Sequence, residues 1–320
     1  MSPGMKVSVC VAATRPDTVG ATARSLAAQT HGDWELVVVV QGGAAAAVAE
    51  AVEREVPRGR ARVISQEGKG LSRARNLCVR MAVGDVIAMT DDDCEAAPDW
   101  LSVLVDQFVA YPRVGVVGGA VVAPPARVRG PGNCPACQPD EVMYEPDVRP
   151  GGPPPGFGWI GANFAFDRRT AELVGEFDEL LGAGAHFPVA EEIDFMRRAE
   201  ALRISMVTTP KAVVHHTFGW RHGVAAVWRL QGNYARGNGG YAGKLTLLGD
   251  PLGAADLATM RRLTMVDWIE RRRPIALPAG IRRYHHFAAG YRDCLHGFSV
   301  DDRGLLQRRS PQPALQRADR

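Results

Sequence analysis

The 320-residue sequence lacks an apolar run of about 18 residues, the length that crosses a membrane. It lacks an N-terminal segment built like a secretory signal peptide, because the chain passes almost at once into the short apolar run Val7–Ala12. It also lacks internal repeats and a large charge excess, since the formal net charge is +3. These absences argue against a membrane-spanning or nucleic-acid-binding protein, and we expect a cytoplasmic one.

Cysteine is sparse too, with six residues in the chain. Only Cys134 and Cys137 have the spacing of metal ligands, and no second such pair or pair of histidines follows at zinc-finger distance. We expect two free thiols there, with a structural zinc or a redox role as the alternative. The others lie in apolar or helical settings and are expected to be reduced and buried: Cys10, Cys78, Cys94 and Cys294.

The first 122 residues alternate between strand and helix patterns. Strands are predicted at 6–12, 34–40, 61–65, 86–89 and 114–122, and helices at 18–29, 44–55, 72–82 and 98–111. This alternation is typical of βαβ units and predicts a mostly parallel sheet with helices on both faces. At 46% apolar and 23% charged residues, the composition is that of a soluble globular protein.

The rest of the chain is less regular. Proline and glycine dominate residues 123–158, which we predict to be a long loop of the kind that serves as a lid or binding loop. Helices are then predicted at 169–174 and 191–201, with short strands at 204–208 and 212–215. We divide the chain into an α/β domain at 1–220, a basic helical extension at 221–302 and a disordered polar tail at 303–320.

The last 60 residues are basic. Residues 261–320 hold 13 arginines and 6 acidic residues. Their arginine pairs and triplet could bind anionic lipid headgroups at the inner membrane face, a lipid-phosphate acceptor or a partner subunit, including a second copy of the chain. The alternative is a solvated basic surface.

The most informative motif is a run of three aspartates, Asp91, Asp92 and Asp93, directly after the predicted strand at 86–89. Buried strands of α/β folds end where ligands bind. Adjacent carboxylates repel one another, so a cation is expected among them, and hard divalent metals commonly bind carboxylates together with phosphates. The run therefore predicts a metal–diphosphate site, with an acidic cap on the next helix as the alternative.

Three other clusters contain side chains that could bind phosphate, transfer a proton or bind a metal. Lys69, Arg73, Arg75 and Asn76 precede or open a predicted helix that Ser72 can cap, and helix N-termini suit phosphate. Glu191 and Glu192 open a later helix, whose dipole is expected to keep them ionised and ready to act as a general base. In the same helix Asp194 and Arg198 have the spacing of an ion pair. His215 and His216 follow a predicted strand and are candidate metal ligands.

In this order and spacing, the motifs resemble those of family 2 glycosyltransferases with the GT-A fold. The resemblance spans residues 6–220. The stretches that carry it are Val7–Ala13, Gly70–Asn76, Gly84–Asp93, Gly161–Asn163, Gly175–Asp178, Leu181–Gly182, Glu191–Arg198 and the strand into His215 and His216.

The resemblance implies a metal-dependent, inverting transferase of the GT-A fold, with a C-terminal helical region added. Asp91 and Asp93 would hold Mn²⁺ or Mg²⁺ on a nucleoside-diphosphate sugar, with His215 or His216 near the metal. Glu192, or alternatively Glu191, would be the base. The residues expected around the donor and the acceptor side are Ala13, Arg15, Gln41, Lys69, Arg73, Arg75, Asn76, Asp91, Asp92, Asp93, Trp159, Gly161 and Asn163.

Two residues depart from the family pattern. Gln41 stands where the family usually has an aspartate that contacts the donor base, so uridine is not implied, although an amide can pair with a base. Glu192 stands where the family has an aspartate as base, and the extra methylene moves the carboxylate by about 1.5 Å, a shift that matters for a positioned base. Glu191 therefore stays a candidate.

Three alternatives remain at this point. A retaining transferase of the same fold is one, and a nucleotidyltransferase is disfavoured because residues 12–17 lack a glycine-rich basic loop. A module that binds a nucleotide sugar without catalysis is the third. The acceptor is open among a glycan, a lipid and a small natural product.

Overall fold

The computed structural model describes residues 4–126, 128–149, 151–260 and 276–309. The chain divides into two compact units. The first comprises Met1–Ala185 and Glu191–Leu230, and the second comprises His186–Ala190 and Gln231–Arg320. The α/β unit therefore reaches Leu230 rather than residue 220, and it is interrupted by a five-residue segment that belongs to the second unit.

The first unit is built on one mixed sheet, in which the described residues form nine strands. The strands are β1 (Val7–Ala13), β2 (Trp34–Gln41), β3 (Ala61–Gln66), β4 (Val86–Asp91), β5 (Glu95–Ala96), β6 (Val114–Val122), β8 (Val142–Tyr144), β9 (Phe164–Asp167) and β10 (Ser205–His215). Short β7 (Gly132–Asn133) pairs with β11 (Arg221–His222) separately. The main order is β3-β2-β1-β4-β9-β6-β10-β5, with β8 on β10.

The first four strands of that order run parallel, so their carboxyl ends lie at one edge. Beyond them β9 runs antiparallel to both β4 and β6. The two short strands predicted at 204–208 and 212–215 form the single strand β10, with a register irregularity between Thr209 and Val213. The predicted long loop contains β7 and β8, so part of it is ordered against other strands.

Among the described residues, six helices belong to this unit in full, and they cover both faces of the sheet. They are α1 (Pro16–Ala27), α2 (Ala45–Glu53), α3 (Leu71–Met81), α4 (Trp100–Ala110), α5 (Arg168–Val174) and α6 (Glu191–Ala201). Side chains of α1, α2 and α4 pack in one core cluster, and those of α3, α5 and α6 pack in the other. The central strands are continuous apolar runs because both of their faces are buried.

The start of α3 differs from the prediction. The N-cap position is Gly70, at φ 145°, and Ser72 lies inside the helix. The Ser72 hydroxyl donates to the carbonyl of Leu181 at 2.6 Å and does not cap the helix. The expected ion pair of α6 is present, since Arg198 Nε lies 2.9 Å from Asp194 Oδ2.

Helix α7 (Val224–Leu247) begins in the first unit, and most of it belongs to the second, which also contains α8 (Ala276–Gly297), β12 (Phe298–Val300) and β13 (Leu306–Arg308). Gly239 and Gly243 of α7 and Gly290 of α8 leave no room for a side chain where these helices meet. Strand β13 pairs with β12, so the prediction of disorder from residue 303 is wrong for residues 303–309. Residues 310–320 and the arginines at 261, 262 and 271–273 lie outside the described residues.

No helix in the described part of the chain is both long and apolar enough to pass through a bilayer.

Candidate active site

The three aspartates lie at the carboxyl end of β4, beside the end of β1. Asp91 is the last residue of β4 and pairs in register with Ala12. Its side chain shares the α3 face of the sheet with Met89, and it is 30% exposed. Asp91 is thus an accessible carboxylate at the edge where α/β folds bind ligands, as predicted.

Asp92 is turned into the protein. The backbone N–H groups of Thr14 and Arg15 donate to its Oδ2 at 2.6 and 2.9 Å. The Arg15 guanidinium donates to its Oδ1 at 2.6 Å. With 3% exposure, Asp92 fastens the turn after β1 to the end of β4, so it is a structural tie rather than an open ligand position.

Asp93 forms a buried pair with His216. The histidine Nε2 lies 3.3 Å from Asp93 Oδ1, and its Nδ1 lies 2.9 Å from the carbonyl of Pro135. A carbonyl only accepts, so Nδ1 carries a proton. His215, by contrast, is exposed and pairs by its backbone with Glu95. Of the two predicted histidines, His216 is the one beside the aspartates.

The surroundings give these carboxylates different proton affinities. Burial opposes ionisation of Asp93, but the hydrogen bond and charge of His216, together with Arg15, lower the pKa of Asp93 to about 2. Burial also opposes the charged form of His216, yet Asp93 raises the pKa of this histidine. Burial raises the pKa of Asp91 to about 6, opposed by Arg75 and reinforced by Asp93. The site therefore contains one carboxylate already paired and one still poorly compensated.

Arg75 of α3 connects the aspartates to the acidic start of α6. Its Nη1 donates to Glu191 Oε1 at 2.8 Å, its Nη2 donates to the carbonyl of Gly161 at 2.7 Å, and Nη2 lies 3.6 Å from Asp91 Oδ1. A Cβ at residue 161 would lie 2.8 Å from Nη2, so a larger residue there would have to displace the Arg75 guanidinium. Arg75 is 2% exposed, and a guanidinium so buried requires this pairing.

The two glutamates of α6 have different environments. Glu191 is buried and committed to Arg75. Glu192 is partly exposed, and within the described residues no other side chain holds its carboxylate. Desolvation, with the charge of Glu191, raises the pKa of Glu192 to about 8. The expectation that the helix dipole keeps both ionised is therefore wrong for Glu192, because a dipole end acts like only about half a charge.

Three residues predicted around the donor and acceptor are internal supports instead. Asn163 is fully buried, and its Nδ2 donates to the carbonyls of Ala120 and Ala212 while its Oδ1 accepts from Trp100. Asn76 exchanges hydrogen bonds with the backbone of Phe177. Trp159 is 7% exposed and stacks on Phe164. Their polar groups and rings already contact other parts of the fold. The prediction that these three residues contact the donor or the acceptor is therefore corrected.

Other predicted donor residues border the same edge. Gln41 ends β2, and its Oε1 accepts from the N–H of Gly70 at 2.7 Å. Lys69 is exposed, and Arg73 is exposed with Glu179 3.5 Å from its Nε. Ala13, at the end of β1, is completely buried, so only its backbone borders the site. Lys69 and Arg73 are therefore the cations of this loop that a ligand can reach.

All six cysteines are free, which agrees with the expected thiols. Cys94 donates weakly to Asp93, and burial raises the pKa of Cys94 well above its ordinary value, so it stays a thiol. Cys134 and Cys137 are half-buried beside His216 and β6, and burial raises the pKa of both.

Sequence reasoning missed three contacts of the site. Thr14 holds Asp92 through its backbone, Pro135 orients His216 through a carbonyl, and Arg221 Nη2 lies 3.8 Å from Asp93 Oδ2. Nearly every residue has backbone donors and acceptors, so the sequence does not indicate which of them bind a side chain of the site. Arg221 follows His216 by five residues, and no periodic pattern marks that spacing. Only the fold reveals these contacts.

Part of the sequence is similar to known proteins. Residues 8–142 match the model of the family described as Glycosyl transferase family 2. This match covers less than half of the chain, and it supports a family 2 glycosyltransferase. A curated relative, the glucosyl-dolichyl phosphate glucuronosyltransferase of Haloferax volcanii, is 31% identical over 205 residues, which are 56% of this chain and 58% of the relative. The chain thus spans less than two thirds of the length of that protein.

Solved glycosyltransferases share the fold. The mannosyltransferase PcManGT of Pyrobaculum calidifontis, in complex with GDP-Man and Mn²⁺, aligns with a TM-score of 0.59 at 17% identity, over 92% of this chain and 88% of that one. TarS of S. aureus, in complex with UDP, aligns with a TM-score of 0.51 at 15% identity, over 97% and 98%. At such identities the likeness supports the GT-A fold and no more. The predicted fold class is confirmed.

The donor atoms beside the aspartates fit a divalent cation. Ligand atoms of Asp93, Cys94 and His216 lie within 4.8 Å of one another. Because Nδ1 donates its proton to the carbonyl of Pro135, Nε2 is the nitrogen that would coordinate a cation, in place of its contact with Asp93. A hydrogen bond at the other ring nitrogen commonly orients a metal-binding histidine in this way. Carboxylate and imidazole ligands are compatible with Mn²⁺, whereas Mg²⁺ prefers oxygen alone. Asp93 and His216 would hold the ion, and Asp91 supplies the exposed carboxylate nearby.

Proposed function

We propose that the chain is a metal-dependent, inverting glycosyltransferase that transfers a sugar from a nucleoside-diphosphate sugar to an acceptor hydroxyl. The observation that carries the proposal is the contrast between Glu191 and Glu192. One is locked to Arg75, and the other is free, partly exposed and has a pKa raised to about 8. A carboxylate that binds a proton near neutral pH is suited to act as a general base.

Glu192 is proposed to accept the proton of the acceptor hydroxyl as its oxygen attacks the anomeric carbon. The bond from that carbon to the diphosphate breaks in the same step, and the diphosphate leaves with the electron pair. A single displacement of this kind inverts the anomeric centre. A bound divalent cation at Asp93 and His216 supplies Lewis-acid stabilisation of the leaving diphosphate.

The side chains around Glu192 are proposed to hold the site in place and to bind the donor. Arg75 holds Glu191 and so fixes the start of α6, where Glu192 lies. Asp92 holds the turn after β1 against the end of β4. Lys69 and Arg73 are the exposed cations available to donor phosphates. These placements support a donor between the aspartates and α3, with the acceptor at Glu192.

The ligands and names of the similar proteins suggest candidate substrates to test. PcManGT was solved with GDP-Man and Mn²⁺, and TarS with UDP, so nucleotide sugars and Mn²⁺ are the first compounds to test. The name of the H. volcanii protein describes a lipid-phosphate-linked sugar. We propose a sugar joined to a lipid phosphate, a glycan or a small natural product as the acceptor class.

The test is the variant Glu192→Gln, which keeps the shape of the side chain but does not accept a proton. We expect Mn²⁺-dependent donor binding to be retained and transfer to fall by about 10²- to 10⁴-fold, the usual contribution of a general base. Glu172→Gln, an exposed site on α5, is the matched control and should transfer normally. Unchanged transfer in Glu192→Gln contradicts the assignment, and donor binding without transfer in the parent protein favours a catalytically silent module.

A further inference from the structure

The five residues that precede the acidic start of α6 belong to the second unit. Residues 186–190 lie in that unit, and Glu191 and Glu192 begin α6 directly after them in the first unit. The peptide bond from Ala190 to Glu191 therefore joins this segment to the carboxylates of the site. The proposed catalytic step assigns no role to the segment.

Ala190, which ends the segment, has an unusual backbone conformation. Its φ is 75°, in the left-handed region that a residue with a Cβ seldom adopts. Within the described residues, Arg203 is the only other residue besides glycines with a positive φ. Such a conformation persists where the surrounding structure holds it. The direction of the chain just before Glu191 is therefore set by packing rather than by local preference.

The first residue of the segment is held by polar contacts within the second unit. His186 Nε2 lies 2.9 Å from Asp293 Oδ2, and an Arg308 N–H group lies 3.3 Å from His186 Nδ1. Because a guanidinium only donates, Nδ1 accepts from Arg308, and Nε2 carries the proton that is donated to Asp293. Arg236 of α7 donates to the same Asp293 oxygen. His186 is thus bonded to α8 and β13.

The apolar side chains of the segment pack against two glycines of α7. Phe187 is completely buried, and its ring centroid lies 5.3 Å from that of Phe298. A Cβ at Gly240 would overlap the Phe187 ring, and a Cβ at Gly237 would lie 2.5 Å from Val189 Cγ2. Residues three apart share a helix face, and glycine weakens a helix interior. These two glycines therefore have a packing reason, which is to admit the segment.

We propose that the second unit positions the general base through the packing of Phe187 and Val189 against Gly237 and Gly240. These are positioning residues, because they take no part in the bond changes and act through the start of α6. The inference rests on the proposed function, since it takes Glu192 as the base. A shift of about 1 Å in a catalytic group can reduce the rate greatly. Displacing the segment should therefore lower kcat.

Donor binding should respond differently from kcat. The proposed metal ligands, Asp93 and His216, lie in other parts of the chain and contact each other directly. A displaced segment should therefore leave the affinity for GDP, CDP or UDP with Mn²⁺ unchanged, as measured by calorimetry. A loss of kcat without a loss of nucleotide affinity separates positioning from general damage to the fold.

The test compares two glycine substitutions in α7. Gly240→Ala forces Phe187 to move, whereas Gly243→Ala places its Cβ 2.6 Å from the Cβ of Cys294 in α8. Each creates an overlap in the second unit, so both should lower the melting temperature. Only Gly240→Ala should lower kcat, by at least about tenfold. The assay follows release of nucleoside diphosphate from a panel of nucleotide sugars that includes GDP-mannose and UDP-glucose, well below each melting temperature.

A milder pair of substitutions decides the question where either of those variants does not fold. Gly237→Ala should also lower kcat, because the new methyl group meets Val189 Cγ2. Adding Val189→Ala removes the overlapping methyl group and should return kcat to within about threefold of the parent value, as expected for residues in contact. Rescue by a second substitution is not expected of two independent structural defects.

Equal effects of Gly240→Ala and Gly243→Ala on kcat, or no recovery in the Gly237→Ala, Val189→Ala double variant, overturns the inference. Either result leaves the proposed function standing, because Glu192→Gln tests the base separately. Unchanged transfer in Glu192→Gln removes the base from the proposed function, and the inference with it.

Discussion

The three adjacent aspartates have three different neighbourhoods. Asp91 is partly exposed with a raised pKa, Asp92 binds backbone N–H groups, and Asp93 is paired with His216. The sequence predicts the run and its place at a strand end. It does not predict the proton affinities, because the cations that set them come from segments that meet only in the folded chain.

A pH dependence follows from the state of Glu192. A base with a pKa raised to about 8 is protonated and inactive below that pH in the unliganded enzyme. We expect kcat/KM for transfer to rise as pH increases toward and through about 8, and to level off above it. The measurement is a pH profile of kcat/KM. A profile that is flat between pH 6 and about 9 contradicts the role of Glu192.

The neighbouring histidines provide a matched pair of variants. His216→Gln should weaken Mn²⁺-supported nucleotide binding by at least about tenfold, because it removes a ligand facing Asp93. His215→Gln should leave binding unchanged, because His215 is exposed away from the aspartates. Titration of Mn²⁺ at fixed nucleotide concentration measures both. Equal effects of the two substitutions would contradict the assignment of His216.

Among the helices and strands, those with a long apolar run or clear helical spacing are predicted closely. Strand β6 and helix α6 have the predicted bounds, and β4 extends two residues beyond its predicted end, so that Asp91 belongs to it. The antiparallel direction of β9 was not predicted, because a short apolar run has the same pattern in either direction. The internal role of Asn163 is not predicted either, since an asparagine two residues after a glycine also suits a loop.

Asn163 joins strands β6 and β10 to helix α4, so its replacement should act on stability. Asn163→Ala removes hydrogen bonds to Ala120, Ala212 and Trp100, and leaves those buried groups without partners. We expect a loss of about 2–4 kcal/mol in the free energy of unfolding, measured by urea denaturation. Where the variant is folded, nucleotide affinity should stay near the parent value. A stable variant with a specific loss of nucleotide binding would restore the original prediction.

For the whole molecule, the sequence predicts an α/β domain followed by a helical region, but not the segment of the second unit that lies within the first in sequence. Residues 186–190 belong to the second unit although they lie within the first in sequence, and a linear pattern does not reveal such an insertion. The matched family region, residues 8–142, lies in the first unit. Peripheral membrane contact and self-association stay predictions, because much of the basic region lies outside the described residues.

The central claim is that the aspartates hold a nucleoside diphosphate together with a divalent metal. The most direct measurement is the melting temperature with GDP, CDP or UDP, each with Mn²⁺ or with EDTA, in the parent protein and in Asp93→Asn. At a concentration about 100 times Kd, a bound nucleotide adds about 2.7 kcal/mol and raises Tm by several degrees. We predict a rise only when nucleotide and Mn²⁺ are both present, and none in Asp93→Asn. An equal rise in EDTA, or no rise with any nucleotide, would contradict the claim.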